Sequence, residues 1–396
     1  MRKLLLVALG ALSLTAPARA QLPHLMPAGS PWIDVNYPKL FWTPTEGFTA
    51  GAYLAFIRQV SFTDINAAAP YAASIALNGQ VSTSGSRELS LEGRFPGLVP
   101  GWRFVGTLDA SREARAGYFG IGNATTYDGD LVTSAQEHFY EMIETRWRAR
   151  AEIQRRIVSG FRVLAGVHAE RWRFDELPGA SVLATDRANA TIPAGGAYTS
   201  DITVRGGLVF DTRDDEPAAN RGVLVELIHA ATAGGDLRYT RTTASAAGYL
   251  PLGDTGDPHL MVLSARGVLQ GMGGTPPVGS FALIEASDRP YDGLGGGLSH
   301  RALPVNRFLG RGKLLFNFDA RYHVVNVPRA ARASILGFVD AGRVFEGEPL
   351  KLTTKDLKVG AGIGIFVQLG RAGIIGGTAG VGPDGLVMDV STRWTY

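Results

Sequence analysis

The sequence predicts an all-β chain, a transmembrane antiparallel β-barrel of about 16 strands with a long extracellular loop folded inward. Three observations carry this. The chain opens with an export signal, its strand-length segments alternate apolar and polar residues with a period of two, and no stretch of about 20 apolar residues follows the signal.

Arg2 and Lys3 precede an apolar run from Leu4 to Leu14, and Ala18-Arg19-Ala20 supplies a small-x-small cleavage site. Residues 1–20 therefore read as a signal peptide. The run is too short for a membrane anchor, because ~30 Å of hydrocarbon needs about 20 helical residues. Residues 21–45 are expected to be a short periplasmic N-terminal segment and residues 46–396 the barrel. Cleavage removes Arg2, Lys3 and Arg19, taking the formal charge from +3 to zero, so the charge balance gives no reason to expect a nucleic-acid partner. The chain has no cysteine, so neither a disulfide framework nor a thiolate metal site is available. Cohesion must come from strand pairing. With no second helix able to span, a membrane form has to be a closed barrel.

The clearest alternation runs from Ile143 to Gln154, where Ile143, Thr145, Trp147, Ala149, Ala151 and Ile153 interleave with Glu144, Arg146, Arg148, Arg150, Glu152 and Gln154. An apolar face opposite a densely charged one fits a lipid face opposite a wet lumen. The rhythm returns at 161–168, 314–323 and 357–369. Further strands are expected at 47–58, 70–82, 86–95, 101–112, 201–211, 222–232, 238–250, 259–270, 333–345 and 371–381. Short links such as Asn326-Val327-Pro328 read as periplasmic turns, whereas 113–136, 174–199 and 271–311 are long enough for extracellular loops. The last strand is expected to run from Leu386 to Tyr396, with Trp394 and Tyr396 on the lipid face as part of an interfacial aromatic girdle.

Four sites, Tyr118-Phe119-Gly120-Ile121-Gly122-Asn123, Asp211-Thr212-Arg213-Asp214-Asp215, Asn220-Arg221-Gly222 and the region 300–342, resemble the barrel of the outer membrane protein 85 superfamily. This is the bacterial surface antigen, or BamA-like, family. The resemblance covers nearly all of residues 40–396 in family order. In that family a long loop presents an arginine to the lumen from a Val/Leu-Arg-Gly-aromatic tetrapeptide. His300-Arg301-Ala302-Leu303 is similar but replaces the glycine and the aromatic, which puts a tight glycine turn in question. Phe338-Val339-Asp340-Ala341-Gly342 and Asp319-Ala320-Arg321 resemble the strands that receive this arginine. The resemblance implies a bacterial outer-membrane location among lipid and lipopolysaccharide. It also implies a role in inserting or translocating proteins or lipids, with a periplasmic partner protein or a polypeptide client. Residues 21–45 are too few for a POTRA domain, which needs at least ~50 residues, so a stand-alone barrel is expected.

Period two by itself places Asp319 and Arg321 on the lumen side of one strand, and Asp340 on the same face as Phe338 and Gly342. A guanidinium delivered by loop 271–311 can bind such a carboxylate bidentately, so Arg301 is expected to approach Asp340, Asp319 or both. The bland alternative is that these are lumen charges neutralising one another. No Gly-x-Ser-x-Gly elbow and no His-Glu-x-x-His spacing accompanies the histidines. The expectation is therefore no enzyme, no cofactor and no metal, with a passive or plugged pore and, after it, a barrel enzyme as the alternative functions.

Overall fold

The computed structural model describes residues 30–43, 45–60, 67–192, 198–287, 289–327, 330–346 and 353–396. The signal peptide and residues 21–29 lie outside them, as does Pro328 in one expected turn.

One antiparallel sheet of 16 strands follows chain order, each strand hydrogen-bonded to the next. Its members are β1 (Trp32–Thr43), β2 (Gly47–Arg58), β3 (Ala73–Ser82), β4 (Arg87–Val99), β5 (Trp102–Gly117), β6 (Glu141–Val158), β7 (Phe161–Asp175) and β8 (Thr199–Asp211). Then come β9 (Gly222–Gly235), β10 (Tyr239–Leu252) and β11 (Met261–Gly274), and after a long loop β14 (Gly312–Val327), β15 (Ala331–Phe345), β16 (Lys358–Leu369), β17 (Gly373–Gly382) and β18 (Gly385–Ser391). Two short strands, β12 (Leu283–Ile284) and β13 (Tyr291–Asp292), pair with each other inside that loop. The long connections after β5, β7 and β11 emerge at one end, opposite the chain's last residues.

The alternation sets the two faces. In β6, Trp147, Ile153 and Ile157 are exposed on the outer wall, while Glu144, Arg150, Glu152 and Gln154 are buried on the inner one. Register brings lumen charges opposite each other: Arg148 faces Asp109 and Glu170, and its Nε donates to Asp109 Oδ1 at 3.1 Å. The lumen wall is thus neutralised across strands.

Two boundaries differ from the sequence reading. The barrel begins at Trp32, inside the segment expected to precede it. In β1 the usual alternation is inverted, since pairing with β2 and β3 puts Ile33, Val35, Tyr37 and Lys39 on the lumen side and Asp34 and Asn36 outside. Pro38 further obscures the pattern, and an edge strand is where a proline without an N–H is tolerated.

At the other terminus β18 stops at Ser391 rather than continuing to Tyr396. Leu386, Met388 and Val390 do face outward. Ser391 Oγ then accepts from the Arg393 N–H at 3.2 Å and donates to the Arg393 carbonyl at 2.8 Å, a local turn that ends the strand. Trp394 consequently enters the lumen and stacks on Phe366 at 4.3 Å, and Tyr396 packs beside Tyr249. These aromatics are not on the lipid face. Among the described residues no pairing joins β18 to β1, so the sheet stays open along that seam.

Candidate functional site: the lumen loop and its anchors

The loop between β11 and β14 folds into the lumen, and its tip is held by Arg301. This guanidinium is 1% exposed. Its Nε and Nη2 donate to Asp340 Oδ2 and Oδ1 at 2.9 and 2.6 Å, and the Arg301 backbone N–H donates to Asp340 Oδ2 at 2.7 Å. Nη2 also lies 2.6 Å from Asp319 Oδ1. Asp319 is shared, since Arg321 Nη2 approaches its other oxygen at 3.2 Å. Asn317 Nδ2 completes the shell, donating to Asp340 Oδ1 and to the Ser299 carbonyl, both at 2.7 Å. The Arg301 guanidinium lies 4.0 Å from the centre of the Phe338 ring, an added cation–π contact in a dry setting. Burial alone would weaken the charge on Arg301, but Asp319 and Asp340 reverse that and hold its pKa above the ordinary value.

The strands place these groups because β14 and β15 are in register with Asn317 opposite Asp340 and Asp319 opposite Phe338. Gly342 leaves room for the loop, since a Cβ there would sit 2.5 Å from Leu294 Cδ1. All six residues singled out from the sequence, Arg301, Asp319, Arg321, Phe338, Asp340 and Gly342, therefore lie around the loop tip. The tip does not need glycine at position 302. Positive φ falls instead on Gly295, Gly296 and Asn306 (φ 122, 104 and 54), and Ala302, fully buried, rests on a bed of Gly360, Gly380 and Gly382. A side chain at Gly360 or Gly382 would collide with Ala302.

A second anchor went unread in the sequence. Glu285, just after β12, pairs with Arg205 and with Arg241 Nη1, the latter at 3.0 Å. Arg150 and Arg205 donate to the Ala286 carbonyl at 3.1 and 2.8 Å, and both also contact Glu152. Burial opposes charge on Glu285, but Arg205, Arg241 and Arg150 outweigh it and pull its pKa down to about 2. The available signal was a lone acid in the apolar run Phe281-Ala282-Leu283-Ile284-Glu285-Ala286, facing a lumen already known to be rich in arginine.

The other resembling motifs brace the same assembly. The Gly122 N–H donates to the Leu309 carbonyl at 2.8 Å and Asn123 Oδ1 accepts from the Val344 N–H at 3.0 Å, tying the β5–β6 loop to the exit of the lumen loop and to the end of β15. At the opposite end Arg213 grips Asp211 with two bonds of 3.0 Å, and the β8–β9 turn bends inward until Arg332 donates to the Ala218 carbonyl at 2.8 Å.

The Omp85 superfamily domain matches residues 72–375. In fold, the chain is similar to the structure titled "The crystal structure of BamA from Haemophilus ducreyi lacking POTRA domains 1-3", at 13% identity and a TM-score of 0.51 over 91% of this chain and 68% of that one. It is also similar to CdiB from Escherichia coli, at 12% identity and a TM-score of 0.55 over 93% of this chain and 63% of that one. The chain thus spans about two thirds of the length of these structures. No curated protein matches it. With the domain match running from the start of β3 into β17 and so across both anchors, this chain belongs to the Omp85 superfamily.

Proposed function

We propose that this chain is a bacterial outer-membrane barrel that assists the insertion or translocation of polypeptides, acting with a periplasmic partner and without catalysis. The observation that supports this reading is the open seam. Among the described residues β1 and β18 each keep an unpaired edge, and an unpaired edge is a template for pairing an incoming strand. For a passive pore such an edge is a liability, because unsatisfied backbone groups in lipid cost several kcal/mol each. In this reading the long loops are extracellular and both termini periplasmic.

Photo-crosslinking tests it. A crosslinker at Leu40 or Val390, both outward-facing near the seam, should capture unfolded barrel polypeptides in intact cells, whereas one at Leu227 on β9 should not. Equal capture at all three sites would remove the seam as the working edge. Recovery of the chain as a soluble periplasmic protein would remove the membrane reading altogether.

A further inference from the structure

On the outer wall, near the end that carries the long loops, pairing aligns one row across neighbouring strands: Val81, Arg87, Arg112, Thr145 and Arg173. Arg87 and Arg112 stand directly opposite each other. Like charges at opposed positions destabilise a sheet unless an anion bridges them. Among the described residues neither guanidinium has a carboxylate partner. Arg112 Nη1 instead donates to the Gly85 carbonyl at 2.8 Å, which draws it toward the rim.

The row just below is unlike it. From β3 to β6 it is apolar: Gly79, Leu89, Ala110 and Trp147 align there, with Arg171 next on β7, and the small residues on either side of Leu89, Gly79 and Ala110, leave a depression of about 600 Å³. It is open to the outer face and has an apolar floor. On a lipid-facing wall a charged side chain is tolerated near an interface and not at mid-depth, so Arg87 and Arg112 mark headgroup level on β4 and β5, and the depression runs from them toward the acyl chains. At its β7 side the depression is closed by Arg171, opposite Trp147, and Arg171 and Arg173 stack on Tyr198 at 4.2 and 5.0 Å, which adds cations and an aromatic to its border.

We propose that this groove binds a phosphorylated, multi-acyl glycolipid of the outer leaflet, its phosphate bridging Arg87 and Arg112 and an acyl chain filling the depression. Paired guanidiniums match the oxygens of a phosphate, and apolar surface buried beneath them adds affinity in proportion to its area. The proposal rests on the outer-membrane reading above, which supplies the leaflet.

The test is native mass spectrometry of the full chain in detergent micelles. Its probes are bisphosphorylated lipid A, the same lipid A stripped of phosphate, and dipalmitoyl phosphatidic acid. The wild type should retain bisphosphorylated lipid A at least tenfold better than the dephosphorylated form. Arg87→Gln with Arg112→Gln should abolish that preference. Gly79→Leu should weaken both lipid A forms alike, because a Cβ at Gly79 meets only Leu89 Cδ1 at 3.6 Å and Glu88 O at 3.9 Å, so the added side chain can fill the floor. Equal retention of phosphorylated and dephosphorylated lipid A overturns the proposal, as does a preference that survives the double substitution. Stronger retention of phosphatidic acid would place an ordinary phospholipid in the groove and overturn the glycolipid assignment. Heat-modifiable migration of the same samples separates the two readings. A folded barrel without the preference sinks the lipid site alone, and a chain that never folds as a barrel sinks both.

Discussion

At Arg301 the loop supplies the cation and the wall the carboxylates, whereas at Glu285 the loop supplies the carboxylate and the wall the cations. The first group is balanced: Arg301 and Arg321 set against Asp319 and Asp340 sum to zero. The second is not, since Arg150, Arg205 and Arg241 against Glu152 and Glu285 leave one positive charge. Withdrawing the loop would leave the first wall with one uncompensated negative charge and the second with two positive ones. Each anchor therefore disfavours an empty lumen, and because their polarities are opposite the loop cannot satisfy both in any other register. Buried ion pairs are weak evidence for stability, but removing one partner from such a pair is costly, and opposed polarity is a means of specifying one position.

Deleting residues 276–306 removes both anchors and should have the largest effect. In planar bilayers the intact protein should conduct poorly and erratically, and the deletion should open a larger, steadier pore, because 16 strands enclose enough width for an aqueous channel. Large, steady, solute-selective conductance from the wild type would favour a plain pore and would mean that neither anchor holds the loop in place.

Next in size is Asp340→Ala. It removes the bidentate partner of a buried guanidinium, leaving it Asp319 alone, takes one of two acceptors from the Asn317 amide and orphans the Arg301 backbone N–H, at a cost of about 3–5 kcal/mol by urea unfolding followed through heat-modifiable migration. Arg301→Ala should cost a similar amount. The double substitution should fall short of the sum, since each single change already removes the shared interaction. Full additivity would mean that the two side chains do not act as one anchor.

Glu285→Ala should cost less, about 2 kcal/mol, because Arg150 and Arg205 keep Glu152 and the Ala286 carbonyl and Arg241 keeps the Ser280 carbonyl, so no guanidinium loses every acceptor. Acid sharpens the contrast. A carboxylate held at about 2 in the folded state and ~4.3 when unfolded contributes stability that is complete above ~4.3 and lost as pH falls through about 2. A spin label attached at pH 7 to a single cysteine introduced at Ser287 is a clean reporter of loop mobility in a chain that has no cysteine of its own. The wild-type label should stay immobile from pH 7 to pH 5 and gain mobility between ~4 and 2, and Glu285→Gln should leave it mobile across the whole range. A wild-type transition near pH 6 would assign the control to another group.

The sequence made one anchor legible and hid the other for a physical reason. Strict alternation places Asp319, Arg321 and Asp340 on one side of their strands, and a long loop carrying an arginine supplies the complement. Glu285 sits in an irregular segment with no period to fix its direction, and its ion-pair partners are on two different strands, β8 and β10, with Arg150 of β6 reaching only the next residue's carbonyl. The chain's end misled for the opposite reason. Alternation from Leu386 continues unbroken to Tyr396, but the Ser391–Arg393 turn ends the strand, and the lumen offers Trp394 the Phe366 ring and Arg321, 4.6 Å from the tryptophan ring centre. A pattern of two cannot report a turn whose gain lies in tertiary contacts.

The smallest expected effect concerns the loop tip itself. Ala302→Gly deletes one buried methyl and loosens the backbone, so it should cost about 1 kcal/mol. Gly360→Ala alone should cost more, because the new Cβ would overlap that of Ala302 in a bed with no slack. The next nearest atoms, Val381 O and His300 Cε1, stand at 3.0 and 3.2 Å from that position and can yield by a few tenths of an ångström. Combining the two substitutions moves the methyl from the loop to the wall and should recover most of the loss from Gly360→Ala, so the pair should be more stable than that single variant. A tip held by shape as well as by charge requires this recovery. If the combined variant is no better than Gly360→Ala, the glycine bed contributes nothing to seating the loop, and the charged anchors hold it alone.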